Sequence, residues 1–284
     1  MDETDFRILA ALYNNGRQSY SVLSRSVSLS IPSVRDRIEK LKDQGILSGF
    51  VLNLDPGIFG RTEVLLFFNG DWSRKDAEKI LKVPGVVRVA LKIGGGMSIQ
   101  LWARDPQDEA IQIESTLGVS SSWRVSRDRK ERGSVSLMEF QLIEALVNEP
   151  KRSLDNLIRV TGLSPKTIRK HLGSLTDREI ISVRPKLGAL TGSGELVFQL
   201  LVFGNVGMDE IRSIISDSVL IVNQPPAKYL LCRGSDLNDV TSKTGAIQRL
   251  PGVKSVEITL NRELLYNLDF IHKLVQEEIA KRMR

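Results

Sequence analysis

Residues 5–48 and 139–182 are one pattern written twice. Shifted by 134 positions they align without a gap, and 14 of the 44 aligned pairs are identical. The identities include Phe6 with Phe140, Leu12 with Leu146, Leu23 with Leu157, Leu29-Ser30 with Leu163-Ser164, Arg35 with Arg169, and Ile46 with Ile180. Half of the identities are apolar residues at helical spacing, and the pairs keep a serine at the same corner. A repeat of this kind preserves a core and a turn, so it predicts one small fold built twice; two copies do not make a solenoid.

Within each copy the periodicity predicts three helices. Phe6, Leu9 and Leu12 share one face of a first helix, and Phe140, Ile143 and Leu146 do the same in the second copy. Asn14-Asn15-Gly16 and Asn148-Glu149-Pro150 end these helices with residues that favour turns. Residues 20–27 and 154–161 read as second helices. In the first copy a break at Ser28-Leu29-Ser30 leads into a third helix through Pro32, whose missing N–H costs nothing in a first turn. Ser30 is placed to cap that helix by accepting a hydrogen bond from a first-turn N–H. Val34, Ile38 and Leu41 recur at i, i+4 and i+7 and predict its buried face, which leaves Ser33, Arg35, Asp36, Arg37 and Lys40 pointing outward. A short helix, a break, and a longer helix with a polar and basic outer face have the form of a helix-turn-helix. After Gly45 the pattern turns β-rich, as a wing or connecting strand would.

Between and after the copies the element types change. Residues 61–127 predict strands at 63–68, 86–93, 98–103 and 122–126, with helices at 73–81 and 105–117. That order, βαββαβ, is the order of a ferredoxin-like domain, an antiparallel sheet covered by helices on one face. The second half repeats it, with strands near 195–203, 219–223, 229–232 and 254–260 and helices near 208–215 and 237–250. The bare sheet face of such a domain is apolar and wants a partner, which a second copy in the same chain can supply. The fold class is therefore α+β, with two helix-turn-helix domains at 1–53 and 134–188 and two ferredoxin-like domains at 61–127 and 194–261. A C-terminal helix is expected over 262–284, where Leu264, Leu268, Ile271, Val275 and Ile279 mark one stripe. The run from Arg124 to Ser134 holds five basic and two acidic residues; it reads as a solvated linker, with phosphate contact as the alternative.

Composition narrows the class further. The net charge of +6 divides evenly, since residues 1–133 and 134–284 each carry 20 basic and 17 acidic residues. A single cysteine, Cys232, offers no disulfide and no metal cluster and agrees with a reducing cytoplasm. Apolar runs such as VLLFF are about five residues long, against the ~20 of a membrane span, and the opening residues do not read as a signal segment. A cytoplasmic protein without membrane contact is expected. No GxSxG, HExxH, Walker or CxxC pattern appears, so neither an enzyme nor a cofactor is expected. Trp72, Trp102 and Trp123 read as packing. His171 and His272 stand too far apart for a metal pair and read as surface or packing residues.

The outer faces of the third helices are the candidate site. Arg35, Arg37 and Lys40 in the first copy, and Lys166, Arg169, Lys170 and His171 in the second, sit where a recognition helix meets double-stranded DNA. Arginine can donate two hydrogen bonds to guanine, while lysine and the hydroxyls of Ser30, Ser33, Ser164 and Thr167 suit phosphate oxygens. The plain alternative is a packing helix with a solvated charged face. Asp36 repels phosphate and is expected to pair with Lys40 at i, i+4. The second copy has no acid on that stretch. With nine basic and six acidic residues over 134–186, against seven and six over 1–48, it is expected to bind phosphate at least as strongly.

MDETDFRILAAL followed by NNGR, then LSIPSVRDRIEKLKDQGIL, then GFVLNLDPGIFG leading into a βαββαβ domain, resembles the Lrp/AsnC (leucine-responsive regulatory protein) family of transcriptional regulators. The first 127 residues carry the likeness well, and LSPKTIRKHLGSL and LPGVKSVEI repeat it more faintly, as in two family units fused in tandem. The resemblance implies DNA-binding heads and ferredoxin-like domains that dimerise and often sense amino acids. It therefore implies a sequence-specific regulator whose single chain imitates a dimer, with an amino-acid-like effector as a partner. A homodimer through the ferredoxin-like domains or the C-terminal helix is a further expected partner. The effector loop corresponds to Gly94, Gly95, Gly96, Met97 and Ser98, which lacks the acidic residue that usually follows the family's glycine; Gln224 to Lys228 lacks it too. A tight turn explains the glycines equally well. Sirohaem decarboxylases, which are similar to this family, act on a tetrapyrrole and are expected to use histidines and arginines in the ferredoxin-like part, where this chain has no histidine. A dimerisation partner without DNA contact is the remaining alternative.

Overall fold

The structure is a computed structural model that describes residues 1–127, 132–187 and 196–284. The first head comprises α1 (Glu3–Asn14), α2 (Tyr20–Val27), α3 (Ile31–Asp43) and strand β1 (Leu47–Leu54). The first sheet module follows as β2 (Thr62–Phe68), α4 (Arg74–Leu81), β3 (Val86–Lys92), β4 (Met97–Ala103), α5 (Pro106–Leu117) and β5 (Trp123–Ser126). The second head is α6 (Leu137–Val147), α7 (Leu154–Thr161), α8 (Pro165–Asp177) and β6 (Ile181–Leu187). The second module is β7 (Leu196–Gly204), α9 (Met208–Ile214), β8 (Ser218–Gln224), β9 (Ala227–Gly234), α10 (Leu237–Gln248) and β10 (Val253–Thr259). The chain continues into β11 (Asn261–Tyr266) and α11 (Leu268–Met283).

Serine sets most of the helix starts. Ser19, Ser30, Ser73, Ser136, Ser153 and Ser164 each accept a hydrogen bond from a first-turn N–H, a contact worth ~1 kcal/mol. Pro165 sits at the first helical position of α8 and Pro32 at the second of α3, both within the first turn, where no N–H is needed.

Contacts gather the chain into two compact units that do not follow sequence order. One holds Met1–Asn14, Gln18–Gly49 and Pro185–Glu263, that is, the first head and the second sheet module. Its head buries Phe6, Leu9, Leu12, Leu23, Val34, Ile38 and Leu41, the face the periodicity predicts. Its sheet is antiparallel in the order β10-β7-β9-β8, and Phe198, Leu200, Leu230 and Cys232 pack with Ile211, Val240 and Ile247 of the covering helices. Gly204, at φ +134°, lies so near the Gly252 carbonyl that a Cβ would collide with it, so only glycine fits there.

The other unit holds Asn15–Arg17, Phe50–Arg184 and Leu264–Arg284. Its sheet runs β11-β3-β4-β2-β5, and Val64, Leu66, Val89, Leu91, Ile99 and Leu101 pack with Ala77, Ile80, Ala110 and Ile113 beneath α4 and α5. Its second core joins Phe140, Ile143, Leu146, Leu157, Ile168 and Leu175 of the head to Leu52 and Leu54, and to Ile271, Leu274 and Val275 of α11. The expected tryptophan packing is present: Trp102 stacks on Phe59 at 5.8 Å and Trp123 on Phe67 at 3.3 Å between ring centroids, while Trp72 meets the edge of Phe68.

Three features depart from the linear reading. Residues 261–266 are a strand, with the helix beginning only at Leu268, so Leu264 does not belong to the helical stripe. The physical reason is the open edge of β3: Asn267 donates from its backbone to Val87 O and from its side chain to Leu81 O and Val86 O, and it caps α11 by accepting from Phe270 N–H. The wing-like strands β1 and β6, which are repeat equivalents, pair with each other in a two-stranded sheet. In the run 124–134, residues 128–131 lie outside the described residues, and Arg132 beyond them is bound to Asp55 at 2.9 Å and to Glu179. Glu195 and residues 188–194, at the boundary of the second ferredoxin-like domain, also lie outside the described residues.

Candidate DNA-recognition helices

In the first head α3 stands as the spacing predicts. Ser30 accepts from Ser33 N–H at 3.2 Å and its hydroxyl meets that of Ser33 at 2.8 Å. Ser33, Arg35, Asp36 and Lys40 are exposed. Arg35 lies over the ring of Tyr20 on α2, 5.4 Å from its centroid, a cation–π arrangement that holds the guanidinium at the surface without neutralising it. The expected pair between Asp36 and Lys40 does not form; among the described residues no ion pair joins them. Both heads point into solvent, where closing such a pair gains little against side-chain entropy.

Arg37 is placed differently. Its Nη1 meets Asp2 and Asp5, each at 2.7 Å, and the Asp5 side chain is buried. The two carboxylates raise the Arg37 pKa above its ordinary value. This cation ties the recognition helix to the start of α1, so its charge is already matched within the protein.

The second head sets a histidine and an acid at the equivalent positions. His171 aligns with Arg37 and Glu139 with Asp5, and His171 Nδ1 lies 3.5 Å from Glu139 Oε1. Glu139 also binds Arg178 at 2.6 Å and accepts from Ser136 N–H at 2.8 Å, closing a capping box. Burial works against ionisation of Glu139, but the Ser136 N–H and Arg178 outweigh it and hold its pKa below the usual carboxylate value. Ser164 accepts from Thr167 N–H at 3.1 Å. Lys166, Arg169 and Lys170 are exposed, with no acid beside them on α8.

This clamp was not legible from charge spacing, because the acid and the base lie 32 residues apart in each copy. The repeat itself contained the signal, since both members align at a shift of 134 and preserve charge type in the first and polarity in the second. The glycine loop is a hairpin turn joining β3 to β4. Gly94, Gly95 and Gly96 have φ of +80°, +99° and +96°, Gly96 N–H donates to Gly70 O, and a Cβ on Gly95 would sit 3.0 Å from that same oxygen. Met97 is buried in the core and Ser98 pairs with Ala90 within the sheet. The turn accounts for all three glycines.

Two heads with exposed basic third helices, each followed by a ferredoxin-like module, define a DNA-binding protein of the helix-turn-helix class. The winged helix-turn-helix DNA-binding family matches residues 1–48. The uncharacterized HTH-type transcriptional regulator YezC of Bacillus subtilis is 43% identical over 54 residues, 19% of this chain and 39% of that protein. The uncharacterized HTH-type transcriptional regulator PH1916 of Pyrococcus horikoshii is 32% identical over 117 residues, 39% of this chain and 77% of that protein. Among solved structures, the siroheme decarboxylase NirDL aligns over 99% of this chain and 100% of that one, at 12% identity and a TM-score of 0.47. The chain belongs to the Lrp/AsnC family of HTH-type transcriptional regulators. No helix among the described residues is long and apolar enough to cross a membrane.

Proposed function

We propose that this regulator binds double-stranded DNA sequence-specifically through α3 and α8, one chain presenting two unlike recognition helices and so acting as a pseudo-dimer. The observation that carries the reading is the shared construction of the two heads. In each, an inward residue of the third helix faces a buried acid, Arg37 bound to Asp5 at 2.7 Å and His171 3.5 Å from Glu139, while exposed basic residues flank it, Arg35 and Lys40 beside Asp36 in the first head and Lys166, Arg169 and Lys170 in the second. In this reading Arg37 and His171 are positioning residues. Arg35, Lys40, Lys166, Arg169 and Lys170 meet the duplex, with Ser33 and Thr167 at the helix starts donating to phosphate.

Because SIPSVRDRIEK and SPKTIRKHLGS differ, the operator should consist of unlike half-sites roughly 10 base pairs or a multiple apart. Selection from random duplexes tests this; recovery of perfect palindromes alone would refute the unlike-half-site reading. Gel shifts with salt titration separate specific binding from counterion release. The reading is non-enzymatic. Titration with sirohaem provides the counter-test, since a shifted Soret band would favour a tetrapyrrole enzyme instead. Pairing of whole chains is tested by sedimentation at increasing concentration.

A further inference from the structure

The two recognition helices open with different chemistry. At equivalent positions of the repeat α3 begins Ile31-Pro32-Ser33 and α8 begins Pro165-Lys166-Thr167. Ile31 is 41% exposed and Pro32 is exposed beside it, so the first turn of α3 presents carbon where the first turn of α8 presents the ammonium of Lys166. Ile31 precedes Val34 by three residues and Ile38 by seven, a spacing that would carry the buried stripe back by one turn. The core nevertheless stops at Val34, and the isoleucine stands outside it.

That side chain is held in place. Ser30 caps the turn by accepting from Ser33 N–H at 3.2 Å, the two hydroxyls meet at 2.8 Å, and Pro32 locks its own φ. A branched side chain on a helix has one strongly preferred χ1, so ordering Ile31 against a ligand costs little entropy. Arg35, at i+4 from Ile31 and so its neighbour on the helix surface, is steadied over the Tyr20 ring.

A duplex offers an apolar side chain few complements. Base edges in the major groove carry hydrogen-bond donors and acceptors, and the thymine methyl is the apolar group among them. Set against any other edge, an isoleucine strips water from a polar group and leaves it unsatisfied; set against the methyl, it removes apolar surface from water on both sides. We propose that Ile31 is a specificity-determining residue that reads a thymine methyl in the half-site met by the first head. The inference rests on the reading of α3 as a recognition helix. In the second head Pro165 takes that place and Lys166 follows it, so the requirement belongs to one half-site, and the two half-sites differ in the kind of group that is read.

The test uses the full chain and the duplex it selects from random sequence, with each thymine replaced in turn by deoxyuridine, which keeps every hydrogen-bonding group and lacks the methyl. One replacement, in one half-site, should weaken binding about fourfold, the worth of one buried methyl-sized group. Ile31→Ala should bind the unmodified duplex about fourfold less well and lose nothing further at that deoxyuridine, whereas Ile31→Val should keep most of the difference. Neither variant should change the thermal midpoint, because the position is exposed. Deoxyuridine tolerated at every position, or a penalty that survives in Ile31→Ala, would overturn this inference and leave sequence-specific binding standing. A chain that selects no sequence at all would overturn the DNA-binding reading, and this inference with it.

Discussion

The two heads share a frame and differ in what holds it. In the first, α1 is tied to the recognition helix by a cation reaching two aspartates, Asp2 half exposed and Asp5 buried. In the second, one buried glutamate gathers Ser136, His171 and Arg178, and α11 adds Arg282 over Phe140 and two side chains on Glu144. The first head has no counterpart to the last contact, because Ala10 occupies the position equivalent to Glu144. Duplication thus kept the apolar positions that make the fold and let the polar anchors diverge, the second toward a network spread over more of the chain.

The largest test of that difference removes the aromatic core residue of each head. Phe140→Ala should cost ~3–5 kcal/mol, and it should cost more than Phe6→Ala, because Phe140 also meets Phe59 at 6.1 Å and Arg282. Urea unfolding followed by far-UV dichroism measures both; equal losses would break the claim that α11 anchors the second head more firmly.

Next in size is the buried acid. Glu139→Gln should destabilise the second head by about 1.5–3 kcal/mol, a range kept low because Arg178 is partly exposed. The pH dependence has a defined sign. The folded pKa of Glu139 lies below its ordinary 4.5, so its contribution is fully present above that value and is lost as pH falls through the lowered folded pKa. Wild type should therefore lose stability in that acid window, and the Gln variant should lose less across it. Parallel pH curves for the two proteins would show that the network is not what holds the head.

A smaller effect is expected on DNA. Arg169→Ala should weaken specific binding by ~1–3 kcal/mol if its guanidinium reads a base, and Lys166→Ala should lower the salt slope by about 1 through a lost phosphate contact. Arg35→Ala should fall in the same range, with part of its loss reproduced by Tyr20→Leu, which removes the ring under the guanidinium. A Tyr20→Leu variant with wild-type affinity would show that the stack does not orient Arg35.

These contrasts also mark what could be read before the structure. The apolar spacing of Phe6, Leu9 and Leu12, of Val34, Ile38 and Leu41, and of their equivalents reports burial directly, because a helix face either meets a core or it does not. The serine caps were legible for the same reason, being local chemistry. The strand at 261–266 was hidden because Leu264 and Leu268 fall at i, i+4, and only the unfilled edge of β3, 170 or more residues earlier, selects a strand there. The pairing of β1 with β6, the grouping of the first head with the second sheet module, and the clamp on Arg37 are likewise long-range choices that no local window contains.

The smallest effect isolates the one position on the recognition faces where an acid in one head meets a base in the other. Asp36 in the first head aligns with Lys170 in the second, and since Asp36 is exposed and, among the described residues, not ion-paired with Lys40, its charge is left to repel phosphate. Exposed charges of this kind are worth ~0.2–1 kcal/mol, so Asp36→Asn should tighten binding to the first half-site by roughly two- to threefold, and Asp36→Lys by more, with a steeper salt dependence. The converse change, Lys170→Asp, should weaken the second half-site by at least as much. If Asp36→Asn instead loosens binding or relaxes the sequence preference, the carboxylate is accepting a hydrogen bond from a base, and the acid on α3 is a reading group where the lysine on α8 is an anchoring one.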